Sequence, residues 1–272
     1  MFKRLVCLLL TVLMLAVCAC PAAPASSSDY DSNHPEKLND TDLSASAAIL
    51  IEVNSGMVVY EKNADVRMYP ASTTKILTTY LALLMGNLDD VVTTSATALQ
   101  LEEKASVIPL SEGEQLPLEN LLYATMVKSG NDGANVIAET ISGSIYAFAE
   151  TMNQYAASIG CTNTHFVNPS GLHDDNHYTT ARDLSLIVQA ALKSENFRTI
   201  TNTAEYTLPA TNLSDERVLK TTNMLIFQNS GNRYYYPKAI GIKTGYTTLA
   251  ETIEMNPVLK KAGVVDAGGK GY

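Results

Sequence analysis

The sequence predicts an α+β fold in which an antiparallel sheet accompanies a large helical subdomain. Two β-rich runs near residue 50 are joined by a turn signal, and helical periodicity occupies most of the chain between residues 72 and 193. Short β-like runs follow the helical block. Strands and helices that are grouped along the chain in this way are typical of an α+β domain.

Composition limits the function. The chain has 272 residues, of which 46% are hydrophobic, so it can form one large domain or two small ones with a substantial core. Its 28 acidic and 19 basic side chains give a net charge of −9. Because nucleic-acid affinity comes mainly from Lys and Arg, we expect no nucleic-acid partner.

Residues 1–25 have the three parts of a secretory signal peptide. Lys3 and Arg4 precede the apolar run 5–19, and Ala23-Pro24-Ala25 supplies small residues for cleavage. The run is shorter than the roughly 20 apolar residues of a membrane-spanning helix. We therefore expect export to the cell envelope, at the outer face of the cytoplasmic membrane or in the periplasm. Lipid modification at Cys20 is an alternative that would attach the protein to a membrane surface.

Residues 26–44 are polar and acidic, which predicts a disordered leader. Cys161 is the one cysteine that remains after cleavage at residue 25. The exported chain would therefore have no intramolecular disulfide, and we interpret Cys161 as a buried thiol.

The first elements are a hairpin and a helix. The runs 47–53 and 57–61 flank Asn54-Ser55-Gly56, whose Asn and Gly tolerate positive φ. Helical periodicity begins at Ser72 and ends before Gly86-Asn87. The apolar face of this helix consists of Ile76, Leu77, Tyr80, Leu81 and Leu84.

Four more helices and two β-like runs follow. Periodicity and flanking turn residues predict helices over 118–128, 132–141, 145–159 and 181–193. The β-like runs are 206–208 and 239–247.

Ser72 and Lys75 stand three residues apart at the predicted start of the first helix. Side chains at this spacing lie on one face, so the ammonium can reach the hydroxyl. The free N–H groups of a helix N-terminus favour negative charge, which suits an alkoxide. An enclosed Lys near other cations would lose its proton near neutral pH and could act as a base. A capping Ser followed by a surface Lys is the simpler alternative.

Two further motifs occur later in the chain. Ser129-Gly130-Asn131 falls between two predicted helices, where a loop can present a hydroxyl and a carboxamide to a cleft or can form a plain turn. Lys243-Thr244-Gly245 lies within the run 239–247, where alternation would place Lys243 between two glycines on one strand face. Such a face can dock another backbone and attract a carboxylate.

Together and in this order, the three motifs resemble the signature of the serine penicillin-recognising enzymes: Ser-x-x-Lys, Ser-x-Asn and Lys-Thr-Gly. The strings around 69–76, 128–135, 164–172 and 241–247 are most similar to the D-alanyl-D-alanine carboxypeptidases of the S11 peptidase family. The resemblance covers about residues 44–249. It implies a β-lactamase/transpeptidase-like catalytic domain over residues 45–250.

The resemblance also implies a mechanism without a cofactor or metal. Ser72 would attack the peptide bond between two D-alanines with Lys75 as base, and Ser129 would pass a proton to the leaving amine. Asn131 would hold the acyl side chain's amide. The substrate's carboxylate would bind at Lys243-Thr244-Gly245, and the N–H groups of Ser72 and Tyr246 would form the oxyanion hole. The partners would be peptidoglycan stem peptides, with β-lactams as covalent inhibitors.

Other interpretations remain open. The histidines at 165, 173 and 177, with Asp174 and Asp175, could suggest a metal site, but their loop context lacks ligand spacing. A serine β-lactamase would use the same acyl-enzyme with an added carboxylate base. A non-catalytic remnant that binds peptidoglycan or β-lactams is a further alternative.

The C-terminal part departs from the family pattern. Residues 251–272 carry no family feature that we recognise, and they include Pro257 and a Gly-rich end. The resemblance would require further strands after Gly245, so we expect an incomplete sheet and a truncated product. A membrane-associating C-terminal part of the family would then also be missing.

Overall fold

The structure, a computed structural model, describes residues 43–247. The fold is α+β, as predicted. The predicted signal peptide, most of the leader and the tail after residue 250 lie outside the described residues. Within 43–247 there is no helix with the length and apolar character needed to span a membrane.

The predicted hairpin is confirmed. Strand β1 (Ala48–Ile51) pairs antiparallel with β2 (Val58–Lys62), with a register shift after Leu50. The Glu52 carboxylate closes the turn by accepting backbone N–H groups of Asn54 at 3.1 Å and Ser55 at 2.6 Å. Gly56 has φ +72°, a left-handed conformation that explains a glycine at this point.

A 3-10 turn (Ala71–Thr74) leads directly into helix α1 (Lys75–Met85). The helix ends at Gly86, as predicted, where the Gly86 N–H donates to Ala82 O. Most of the predicted apolar face is buried. Leu84 is the exception, being 54% exposed, because the buried surface of the helix ends before its last turn.

Up to residue 247, where the described part of the chain ends, five more helices follow: α2 (Leu118–Lys128), α3 (Asn131–Ser142), α4 (Ile145–Ser158), α5 (Ala181–Ala191) and α6 (Glu195–Thr201). The first four agree with the predicted ranges to within two residues. Helix α6 was not predicted, because seven residues are too few to establish a helical period. Side-chain caps begin three of the helices, with Ser144, Thr180 and Ser194 accepting backbone N–H groups.

The other strands between residues 43 and 247 form two short pairs. Strand β3 (Val91–Thr93) pairs with β4 (Gln115–Pro117), and β5 (Glu205–Leu208) pairs with β6 (Arg217–Lys220), both antiparallel. Of these, only β5 was predicted. Within the described residues the strands make three two-stranded sheets instead of the single sheet that we expected.

The predicted strand over 239–247 is wrong for this structure, which has irregular backbone there. Alternating apolar residues favour a strand, but a strand needs a hydrogen-bonding neighbour, and among residues 43–247 no segment pairs with this run. The predicted alternation of faces is also lost. Ile240 is 50% exposed, whereas Ile242 packs against the core.

Helix α3 is central to the helical region, because it packs against α1, α2 and α4. One apolar core includes Leu121, Leu122 and Ile137, and a second includes Phe148 and Phe197. The N-terminal ends of α1 and α3 carry two of the three sequence motifs. The packing of these helices therefore determines how far apart the motifs lie.

Two groups of ion pairs connect distant parts of the chain. On the surface, Arg182 of α5 binds Glu61 and Asp65, both at 2.7 Å. In the interior, Arg217 of β6 binds the fully buried carboxylate of Glu114. Surface pairs contribute little stability, whereas breaking a buried pair leaves an uncompensated charge.

Candidate active site

Ser72 and Lys75 meet at the start of α1. They occupy the 3-10 turn and the residue that follows it, and in 3-10 geometry side chains three residues apart are eclipsed. Lys75 Nζ lies 3.0 Å from Ser72 Oγ. Ser72 is half-buried, whereas Lys75 has no exposed surface. The Ser72 hydroxyl is thus accessible to a ligand, whereas the Lys75 amine in contact with it is shielded from water.

The Lys75 amine has two other partners. Its Nζ lies 2.6 Å from Asn131 Oδ1 and 2.6 Å from the carbonyl oxygen of Ser170. Both of these atoms can only accept a hydrogen bond. The structure therefore brings oxygen atoms from three separate segments, those of Ser72, Asn131 and Ser170, around the Lys75 nitrogen.

The environment of Lys75 disfavours the ammonium form. Burial holds the pKa of Lys75 well below its usual range, and the nearby charge of Lys243 acts in the same direction, while Asp132 opposes it. A Lys with such a pKa can accept a proton from a hydroxyl near neutral pH.

Ser129 and Lys243 form a second contact. Ser129 follows helix α2 in the left-handed region, with φ 63° and ψ 35°. Lys243 Nζ donates to Ser129 Oγ at 2.9 Å and to the carbonyl oxygen of Thr244 at 2.8 Å. Burial lowers the pKa of Lys243 to about 8, so this side chain remains largely cationic at neutral pH.

The Lys-Thr-Gly segment passes directly beside the Ser72 turn. A Cβ atom added to Gly245 would lie 3.0 Å from the carbonyl oxygen of Pro70. Thr244 Oγ1 lies 2.6 Å from Thr222 Oγ1. The side chain of Tyr246 is 62% exposed, and a role for its backbone N–H stays a prediction. Close approach of two backbones thus explains the glycine without a regular strand.

The sequence analysis missed the contribution of the loop around residue 170. Besides Ser170, which binds Lys75, the carbonyl oxygen of Pro169 accepts from Thr78 Oγ1 at 2.6 Å. Asn168 Oδ1 organises the loop by accepting the backbone N–H groups of Ser170 at 3.2 Å and Gly171 at 2.7 Å. The Asn-Pro-Ser-Gly string indicated a turn, but nothing in it indicated that its carbonyl groups face α1.

His177 holds the same loop to the Ser72 turn. Its Nδ1 accepts the Val167 N–H at 3.1 Å, so its Nε2 carries the proton and donates to Thr74 Oγ1 at 2.8 Å. Burial lowers the pKa of His177 to about 3, which keeps the ring neutral. Over residues 43–247, no three His, Cys, Asp or Glu side chains are grouped to hold a metal ion.

Cys161 is a buried thiol, as predicted. Burial raises the pKa of Cys161 to about 12, so the thiolate needed for nucleophilic attack is negligible at neutral pH. Cys161 lies in the core cluster that contains Phe148 and Phe197. Its role is therefore in packing.

Comparison with known proteins identifies the family. The sequence profile of peptidase S11, described as D-alanyl-D-alanine carboxypeptidase, matches residues 32–256. The chain belongs to this family. The resemblance found from the three motifs is therefore confirmed.

Curated relatives include D-alanyl-D-alanine carboxypeptidases from several bacteria. DacF of Bacillus subtilis is 35% identical over 246 residues, which cover 88% of this chain and 59% of the relative. DacA of Escherichia coli is 37% identical over 218 residues, which cover 76% of this chain and 51% of the relative. The chain thus spans about half the length of these curated relatives.

Solved structures of the family have the same fold. The DD-transpeptidase of Streptomyces K15 superposes with a TM-score of 0.68 and 32% identity, covering 75% of this chain and 81% of that structure. A D-alanyl-D-alanine carboxypeptidase of Mycobacterium tuberculosis gives a TM-score of 0.67 and 32% identity, with coverage of 75% and 74%. The fold is therefore that of the DD-peptidases and penicillin-binding proteins.

Proposed function

We propose that this chain is a serine-type D-Ala-D-Ala carboxypeptidase, which removes the terminal D-alanine of peptidoglycan pentapeptides through an acyl-enzyme on Ser72. One observation carries the proposal. Neutral Lys75 has two N–H bonds and one lone pair, and two of its three neighbours, Asn131 Oδ1 and Ser170 O, can only accept. In the neutral form the lone pair is left for the third neighbour, the Ser72 hydroxyl, whose Oγ lies 3.0 Å from Nζ.

The chemistry follows from this arrangement. Ser72 Oγ attacks the carbonyl carbon while its proton passes to Lys75 Nζ, and the C–O bond forms. As the C–N bond to the leaving D-alanine breaks, Ser129 donates its hydroxyl proton to the departing nitrogen. Ser129 is then reprotonated with the proton that Lys75 took from Ser72, which returns Lys75 to its neutral form. Water attacks the ester in the second half of the reaction and regenerates the Ser72 hydroxyl.

The remaining site residues suit a peptide with a free carboxylate end. Lys243 contributes a cation, and Thr244 and Gly245 lie beside it on the same segment. Asn131 uses Oδ1 for Lys75, so its Nδ2 is the atom that would donate to the carbonyl of the acyl side chain. The backbone N–H groups of Ser72 and Tyr246 would stabilise the oxyanion.

Intact-mass spectrometry after exposure to penicillin tests the nucleophile. We expect a covalent adduct on the parent chain and none on Ser72→Ala. Ser158→Ala removes an exposed hydroxyl that bonds within α4 and serves as the matched control, with the same adduct as the parent. An unmodified parent chain, or an adduct that persists on Ser72→Ala, would contradict the proposal.

Release of D-alanine from a pentapeptide that ends in D-Ala-D-Ala separates an enzyme from a binding remnant. An adduct with penicillin but no D-alanine release would support the remnant. Rapid release of hydrolysed penicillin would support a β-lactamase. The acidic pair 174–175 lies on an exposed loop, where Asp174 accepts from the Asn176 N–H and Asp175 contacts His173 and the Tyr69 hydroxyl.

We also propose that the chain acts in the cell envelope after export. The basic start, apolar run and cleavage site within residues 1–25 support this localisation. N-terminal sequencing of the protein isolated from its source should begin near residue 26. An N-terminus at Met1 in a cytoplasmic fraction would contradict export, and a lipidated N-terminus at Cys20 would indicate the alternative anchor.

A further inference from the structure

Asp132 is a buried carboxylate to which the proposed mechanism assigns no step. It is the second residue of α3, directly after Asn131, and it is 1% exposed. Its oxygens accept backbone N–H groups of Ile108 at 2.9 and 3.0 Å, Leu110 at 3.1 Å and Gly133 at 2.8 Å. It forms no ion pair with any residue between 43 and 247. Two of its three partners belong to a distant segment, residues 106–110.

Segment 106–110 packs against the Ser129-Gly130-Asn131 turn and binds it through hydrogen bonds. The Asn131 N–H donates to the carbonyl oxygen of Ser106 at 2.7 Å, and Ser106 Oγ donates to the carbonyl oxygen of Lys128 at 3.0 Å. A Cβ atom added to Gly130 would lie 2.5 Å from Ile108 Cγ1, so the turn packs directly on this segment. The segment therefore contacts the chain on both sides of Ser129.

The turn needs such support. Ser129 is left-handed, with φ 63°, a conformation that a non-glycine residue keeps only when its surroundings enforce it. The turn directs the Ser129 hydroxyl to Lys243 and the Asn131 carboxamide to Lys75. A small rotation of its backbone would move both groups at once.

We propose that Asp132 is a positioning residue: by binding the backbone of segment 106–110, its carboxylate holds the Ser129-Gly130-Asn131 turn in the geometry that acylation of Ser72 requires. The inference rests on the proposed function, since it concerns the same reaction. Asp132 does not touch the substrate, and it acts through Ser129 and Asn131.

A carboxylate suits this place better than its neutral amide. Three N–H donors converge on Asp132, and a carboxylate accepts at both oxygens, whereas an amide offers one acceptor and places its own N–H groups against the other donors. The first turn of α3 also favours a negative charge. Arg217 Nη1 binds the other side of the segment, lying 3.3 Å from the carbonyl oxygen of Pro109. The segment is thus held between an anion and a cation.

The test compares Asp132→Asn with Asp183→Asn. Asp183 is also buried and accepts a backbone N–H, from Asn163 at 2.7 Å, but it binds neither the turn nor segment 106–110. Two quantities are measured. The first is the rate constant of acylation at saturating penicillin, normalised to the fraction of molecules that can be acylated. The second is the penicillin concentration that gives half of this maximal rate. Both variants should melt at lower temperature than the parent.

For Asp132→Asn we expect the saturating rate to fall by about 10²-fold, because misplaced reacting groups have effects of this size. The half-saturating concentration should change far less. Asp183→Asn should keep the parent rate. A parent-like saturating rate in Asp132→Asn, with only a lower melting temperature, would overturn the proposal, because it would show that Asp132 is merely structural.

Two further measurements extend the test. The first applies if Asp132→Asn folds poorly, and the second needs no acylation of the parent. Ser106→Ala removes the exposed hydroxyl that binds the Lys128 carbonyl, and its saturating rate should fall about two- to tenfold with only a small decrease in melting temperature. Deuterium uptake at residues 106–110 should accelerate in Asp132→Asn without any substrate. An unacylated parent would contradict the proposed function alone, whereas unchanged uptake would overturn the role of Asp132.

Discussion

Lys75 and Lys243 lie in one site but differ in how easily each loses its proton. Lys75 is entirely enclosed and lies near a second cation, so its proton is easily lost. Lys243 is partly exposed, and burial lowers its pKa only to about 8. At neutral pH the first lysine can act as a base while the second remains a cation for a carboxylate.

The activity should therefore decline above the pKa of Lys243. The ammonium is present below about pH 8 and is lost as the pH rises through that value, so binding of a free carboxylate weakens on the alkaline side. In a pH profile of kcat/KM for a D-Ala-D-Ala pentapeptide, we expect an approximately tenfold fall per pH unit there.

Lys243→Arg is the control for this decline, because a guanidinium stays charged to a pKa above about 12. The alkaline decline of kcat/KM in Lys243→Arg should move to higher pH, even if kcat/KM is lower at every pH. An unchanged limb in Lys243→Arg would show that another group titrates.

At the scale of single residues, the sequence predicted the pairing of Ser72 with Lys75 but missed the residues from distant segments that surround the site. Ser72 and Lys75 could be paired because three residues separate them on one turn. The Ser170 carbonyl, His177 and Asp132 could not be anticipated, since each acts through contacts that join segments far apart in the chain. Such contacts leave no local pattern of residue types.

At the scale of elements, the start of α1 is held from one side by the loop around residue 170. Gly171 has φ +84°, and a Cβ atom there would lie 1.8 Å from the carbonyl oxygen of Ala71. The loop backbone therefore lies directly on the 3-10 turn that carries Ser72. Its position also brings the Ser170 carbonyl to Lys75.

Gly171→Ala should destabilise the fold by at least about 3 kcal/mol, from the left-handed backbone together with the steric overlap. Gly143→Ala is the matched control, because Gly143 has φ +78° but open space around it. We expect a loss of about 1 kcal/mol for the control. Chemical denaturation of both variants measures the difference, and equal losses would show that the contact with Ala71 can relax.

Helices were easier to predict than strands. The apolar period and the capping residues of a helix are local, which is why α2 matches its predicted range at both ends. Strands β3 and β4 have three residues each and are defined by pairing across more than twenty residues. The run 239–247 was predicted as a strand that the structure does not contain. It has strand-like alternation but no partner strand among the described residues.

At the scale of the whole molecule, part of the core is formed by helices that carry no site residue. The core cluster that contains Phe148 and Phe197 includes Ile76 and Leu77, directly after Lys75, but Phe148 itself belongs to α4, which carries none of the site residues. Phe148 is fully buried in this cluster. Its loss should therefore affect the amount of folded protein and leave the reaction of each folded molecule unchanged.

Phe148→Ala should lower the free energy of unfolding by about 3–5 kcal/mol, because it removes a large buried side chain and leaves a cavity. At a temperature well below its melting transition, the acylation rate per reactive molecule should equal that of the parent. Slower acylation of the folded fraction would show that core packing and site geometry are coupled.

At Ser129 the left-handed backbone favours glycine for stability, whereas the proposed reaction requires the serine hydroxyl. Ser129→Gly and Ser129→Ala both remove the hydroxyl, but only glycine adopts φ 63° without steric cost, so the glycine variant should be more stable than the alanine variant by about 1 kcal/mol. Thermal unfolding of the two variants would measure this difference. Selection for stability alone would favour glycine here, and laboratory evolution toward thermostability should therefore tend to delete the proposed proton donor first.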